Sequence, residues 1–178
     1  MNLNGKEFQK LTFIRRAEFL YDLVKLQVEK HWKDKVLKRP CTRTFYEHCI
    51  SIRSGYMSEK AMGLKAAKRC HDHVTSPQTM FYYIADCWDQ FVDFENFLEI
   101  YKFCSTTIAV TSAENIALSG YTINEGDGIK VTCSIIERYD KQGIRLYKEG
   151  IDGGFVDKFP IEFPESFLKY ERDNLILT

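Results

Sequence analysis

The 178-residue sequence predicts an α+β fold: a helical N-terminal part, a small strand–helix core and a C-terminal β-hairpin. Three observations carry this. Apolar residues recur at helical spacing across residues 10–39. A short β-branched run, "STTIAVT", leads directly into a capped helical segment. Two β-rich runs then flank "RYDKQG" near the C-terminus. With 44% hydrophobic and 14% aromatic residues, the chain has the material for a packed core. The length suits a single domain over 1–178, read as a basic helical part (1–69), a core (70–122) and a hairpin with tail (123–178).

In "KLTFIRRAEFLYDLVKLQVEKHWKDKVLKR", Leu11, Ile14, Phe19, Leu23 and Leu26 form the apolar stripe, and Pro40 is expected to end the helix. "TRTFYEHC" is helix or strand. Ser58 then caps a helix expected over "EKAMGLKAAKR", weakened by Gly63. Ser76 and Pro77 start a largely apolar helix, with a hydroxyl at the cap and proline at the first helical position. "DFENFLEIYKFC" is a second helix or a continuation of the first, with Phe94, Phe97, Leu98 and Tyr101 on one side. After the strand "STTIAVT", Thr111 and Glu114 fit the T-x-x-E capping box, and Gly120 is a natural stop. "GIKVTCSIIERYDKQGIRLYKEG" is expected to be the hairpin, and a short helix follows Pro164.

The net charge of zero conceals a division. Residues 1–69 hold 16 Lys/Arg and 7 Asp/Glu, a balance of +9, and residues 70–178 hold 9 and 18, a balance of −9. A basic half suggests a polyanion, since Lys and Arg neutralise phosphates and release their counterions. The opposite reading is that the two halves neutralise each other. No stretch reaches the roughly 18 apolar residues of a membrane span. No apolar signal segment precedes a cleavage site near the N-terminus. The expectation is a cytoplasmic protein. The six cysteines form no C-x-x-C pair, and a zinc set drawn from Cys41, His48, Cys49, Cys70 and His71 matches no familiar spacing.

Two of the four histidines, His71 and His73, flank Asp72 in "KRCHDHV". Together with "TIAVTSAENIALS", the Asp72-His73 pair resembles the HNH (ββα-metal, His-Me finger) endonucleases. The likeness is to the versions carried by bacteriophages, including homing endonucleases. That resemblance implies a metal-dependent DNA endonuclease with His73 as general base, and with Asp72 and Asn115 holding one divalent cation. His71 and Glu114 are possible accessory groups. The chemistry suits the residue types. A neutral imidazole can take a proton from water near pH 7. Hard oxygen ligands suit Mg²⁺ or Mn²⁺, which would stabilise the developing charge. Lys65, Lys68 and Arg69 would hold neighbouring phosphates of double-stranded DNA. A homo-oligomer is compatible with this reading; in a phage-encoded enzyme the compartment is the host cytoplasm. Two other readings stand beside it: a non-catalytic nucleic-acid-binding protein, and a phage-encoded protein that binds a host protein.

Overall fold

The computed structural model describes residues 5–30, 35–119, 122–125, 129–132, 134–150 and 154–176. The α+β expectation holds. The chain begins with helices α1 (Gly5–Lys30) and α2 (Lys35–His48), then strand β1 (Ile52–Ser58) and the single turn α3 (Glu59–Met62). A 3-10 turn at Ala66–Lys68 leads into β2 (Cys70–His73). Helices α4 (Pro77–Asp86) and α5 (Phe94–Ser105) separate β2 from β3 (Thr106–Val110), which runs into α6 (Ser112–Ala117). There follow β4 (Thr122–Glu125), β5 (Ile129–Thr132), α7 (Glu137–Lys141), β6 (Leu146–Lys148), β7 (Phe155–Val156) and α8 (Glu165–Glu171). No described helix is long and apolar enough to cross a membrane.

These elements form two compact units. The first comprises residues 1–52 and 75–105, and the second residues 53–74 and 106–178. The stretch expected as one core, 70–122, is therefore shared: its two strands belong to the second unit and the helices between them to the first.

The first unit is a helical assembly of α1, α2, α4 and α5. Its core is aromatic. Phe45, Phe81, Phe97 and Tyr101 are fully buried, with Phe45 and Phe81 ring centres 5.7 Å apart and Phe13 stacked on Tyr101 at 5.0 Å. Each such ring contributes roughly 1.5–3 kcal/mol by leaving water. The buried face of α1 differs from the expected stripe. Ala17, Leu20, Val24 and Gln27 point inward, whereas Phe19 and Leu26 are 49% and 46% exposed. Side chains of residues 5–11, including Leu11, lie outside the described set. The inward set keeps the 3–4 spacing but includes a small and a polar residue. Gln27 is tolerated because its Oε1 accepts a hydrogen bond from the Cys41 thiol at 2.9 Å.

Pro40 does not end a helix but lies inside α2. Its ring forfeits one backbone bond. The turns beyond it are anchored by buried Thr42 and Phe45, and Thr44 Oγ1 donates to the Pro40 carbonyl at 3.1 Å. Pro77 occupies the first turn of α4, as expected, but the Ser76 hydroxyl makes no capping bond.

The second unit contains a five-stranded sheet in the order β2-β3-β1-β6-β7 and a two-stranded sheet, β4-β5. The expected hairpin across "RYDKQG" is corrected here. β5 pairs with β4, β6 pairs with β1 and β7, and the intervening residues form α7. The physical reason is Gly143, at φ +62°. It closes α7, with Ile144 N–H donating to the Tyr139 carbonyl and Gly143 N–H to that of Asp140, both at 2.9 Å. The same glycine that suits a hairpin turn also suits a helix C-terminus. Gly120, the expected stop of α6, lies outside the described residues; the helix ends at Ala117.

Candidate nucleic-acid interface

β2 is extended and pairs antiparallel with β3, placing Asp72 opposite Ile108, His73 opposite Thr107 and His71 opposite Ala109. Side chains alternate along a strand. Asp72 therefore projects from one face of the sheet, and His71 and His73 from the other. β3 continues into α6, which packs against β2. This is a strand–strand–helix order, with Asp72-His73 ending the first strand and Glu114-Asn115 in the first turn of the helix.

On the Asp72 face the carboxylate is buried and engaged. Arg138 Nη2 donates to Asp72 Oδ2 at 2.6 Å, and the Tyr139 hydroxyl donates to the same oxygen. Nη2 also reaches the carbonyl of His73 at 2.8 Å, and Nη1 reaches that of Leu118 at 2.6 Å. One guanidinium thus ties the end of β2 to the end of α6. Arg138 is only 3% exposed. Burial pushes the Asp72 carboxyl above its ordinary range, against the opposing pull of Arg138, Tyr139 and His73. Burial also raises the Tyr139 hydroxyl, and the Asp72 charge adds to this. α7, which carries both partners, is held by Tyr139–Phe159, Phe159–Phe163 and Phe163–Phe167 contacts at 5.2, 5.7 and 5.8 Å.

Glu114 is buried as the expected capping box. Its Oε2 accepts from Thr111 N–H and Thr111 Oγ1, both at 2.9 Å, and from Ser58 Oγ at 2.7 Å. Ser58 Oγ in turn accepts from Ala61 N–H at 3.2 Å and so caps α3. Asn115 is half-buried on α6.

The resemblance implies Mg²⁺ or Mn²⁺ on Asp72 and Asn115, and the donor set does not fit it. Asp72 Oδ2 already faces a buried cation. Among the described residues no group of three or more His, Cys, Asp or Glu side chains could hold a metal ion. The zinc set considered from sequence is divided too: Cys41, His48 and Cys49 belong to the first unit, and Cys70 and His71 to the second.

The opposite face carries positive charge. Arg53, Tyr56, Arg69, His71, Thr107 and Glu149 line a cavity of about 10 Å³, room for one water-sized group. His71 Nδ1 is buried with no hydrogen-bond partner among the described residues. Burial lowers the His71 pKa, Arg53 and Arg69 lower it further, and Glu149 opposes them. Arg69 Nη1 pairs with Glu149 at 3.2 Å, and its Nε donates to the Leu64 carbonyl at 3.1 Å. Arg53 makes no ion pair among the described residues. Lys65 and Lys68 are exposed at the 3-10 turn just before β2.

Of the residues singled out from sequence, Arg69 and His71 line this cavity and Lys65 and Lys68 stand just before β2; Arg53, Arg138 and Tyr139 are not among them. No local signal marks Arg138 and Tyr139, which lie in a segment read as a turn. No known protein family, curated protein or solved structure matches the chain.

Proposed function

We propose that the second unit binds the phosphodiester backbone of double-stranded DNA through the His71 face. One observation carries the reading: Arg53, Arg69 and His71 line a single small cavity, and the His71 ring keeps a buried Nδ1 with no hydrogen-bond partner among the described residues. A phosphate at its mouth would meet the His71 ring, with Arg53 balancing its charge and Arg69 sharing its own between the phosphate and Glu149. Lys65 and Lys68 would meet flanking phosphates. Such contacts fix position on the duplex and carry no base sequence information. This reading uses side-chain cations alone and invokes no divalent cation. Fluorescence anisotropy with a labelled duplex, in EDTA and across a range of salt, tests it. Steep salt dependence supports the proposal, and an affinity indifferent to salt contradicts it.

A second reading is phosphodiester hydrolysis with His73 as general base. It is favoured by the strand–strand–helix order and by the half-exposed position of His73 at the end of β2. A supercoiled-plasmid assay with Mg²⁺ or Mn²⁺, with and without EDTA, separates it from binding alone. Cleavage lost in His73→Ala, with DNA affinity retained, would favour hydrolysis.

A further inference from the structure

Within the helical unit, Cys49 and Cys104 bring their sulfur atoms to 3.6 Å. Cys49 follows α2, its N–H donating to the Phe45 carbonyl at 2.9 Å, and Cys104 lies in the last turn of α5. Both are free thiols. A disulfide needs the sulfurs at about 2.0 Å, so the pair has roughly 1.5 Å to close.

We propose that Cys49 and Cys104 are a peroxide-responsive thiol pair, with Cys49 the attacking sulfur and Cys104 the resolving one. The two are unequal in access: Cys49 is half-buried and Cys104 fully buried. They are also unequal in acidity. The Cys104 thiol and the Ser105 hydroxyl, 3.7 Å from Cys49 Sγ, favour the Cys49 thiolate and hold its pKa down despite burial. Burial and the neighbouring Cys49 push Cys104 well above the usual thiol range. A lowered, accessible thiolate beside a buried thiol is the arrangement that oxidises selectively. Cys41 and Cys87 have pKa values raised by burial, which makes them poorer nucleophiles.

The oxidant is a hydroperoxide. The Cys49 thiolate attacks the terminal peroxide oxygen. The O–O bond breaks, the leaving oxygen takes up a proton as water or alcohol, and Cys49 becomes a sulfenic acid. Cys104 then attacks the Cys49 sulfur. The S–O bond breaks, and the departing hydroxide leaves as water with the Cys104 proton. Two thiols lose two electrons in all, and the peroxide gains them. A dithiol reverses the bond. The link spans 55 positions, so it would tie the ends of α2 and α5 and restrain a long loop.

The test uses the full chain, fully reduced and then freed of reductant. Hydrogen peroxide is added and then removed, the chain is unfolded in urea with N-ethylmaleimide present so that the fully buried Cys104 also reacts, and the digest is mapped by mass spectrometry. The expected product is one Cys49–Cys104 linked peptide, reversed by dithiothreitol, with free thiols falling from six to four. In Cys104→Ser, dimedone should trap a sulfenic acid at Cys49. Because Cys104 is fully buried, a second variant is made at the more exposed partner. Cys49→Ser alters a half-buried position after a helix end; it should fold, form no linked peptide and leave Cys104 maleimide-labelled. The proposal is overturned if both cysteines remain labelled at peroxide levels that oxidise methionine. It is equally overturned if Cys49 links to a different cysteine.

Discussion

Arg138 donates to Asp72 at 2.6 Å across 66 positions of sequence, in a setting where both side chains are buried. The same guanidinium reaches the Leu118 carbonyl, so one cation fastens β2, α6 and α7 together. The carboxylate that the family resemblance implies as a metal ligand is engaged here by Arg138 and Tyr139.

Breaking this pair from one side should be costly. Arg138→Met strands a buried carboxylate, and Asp72→Asn strands a buried guanidinium. Each is expected to cost about 3–5 kcal/mol in urea unfolding. The double variant should lose clearly less than the sum of the two, because neither charge is then left alone. Strict additivity would show that the pair contributes nothing as a pair.

The Glu114 anchor gives a second stability prediction. Thr111→Ala removes one cap bond and should cost about 1 kcal/mol. Glu114→Ala also strands the buried Ser58 hydroxyl and should cost more, about 2–3 kcal/mol. Equal losses in thermal or urea unfolding would mean that the Ser58 contact adds nothing.

For His71 the sign follows from its lowered pKa. The folded state resists protonation, so the unfolded chain binds the proton first. The His71 contribution to stability is complete above about pH 6.5, and declines as pH falls below that toward the folded value. A bound phosphate reverses the preference, since the imidazolium then has an anion to face. DNA affinity should therefore rise as pH falls through the same range, and the His71 resonances should titrate at higher pH when duplex is bound. A His71 pKa unchanged by DNA in an NMR titration would remove this residue from the interface.

Lys65, Lys68 and Arg69 stand at the entrance to β2. Replacing all three with glutamine should flatten the plot of log affinity against log salt by up to about 2.7, at roughly 0.9 per phosphate. Sequence preference should change little. A slope that stays at the wild-type value would place the duplex elsewhere.

Local signals were the legible ones. The Thr111–Glu114 capping box, the Ser58 cap, the Pro77 helix start and the β3 strand all depend on contacts within a few residues, and all are present in the structure. The inward face of α1 was not legible from hydropathy, because Ala17 and Gln27 occupy it while Phe19 stays exposed. Nor was the partner of Asp72. Arg138 lies 66 positions away, in a segment whose residues suit a turn as well as a helix closed by glycine. The positive cavity joins Arg53, Arg69, His71 and Glu149, which only strand pairing brings together.

The central claim is that this face binds DNA phosphates without a metal. The most direct measurement is duplex anisotropy in EDTA, comparing the unaltered chain with Arg53→Gln and with Arg53→Gln/Lys68→Gln. Arg53 and Lys68 are both exposed, and neither makes an ion pair among the described residues. Binding should persist in EDTA, weaken with each replacement, and fall by about tenfold or more in the double variant, since each charged contact removed is worth roughly 1 kcal/mol. Binding that appears only when Mg²⁺ or Mn²⁺ is added, or that is identical in all three proteins, would contradict the account.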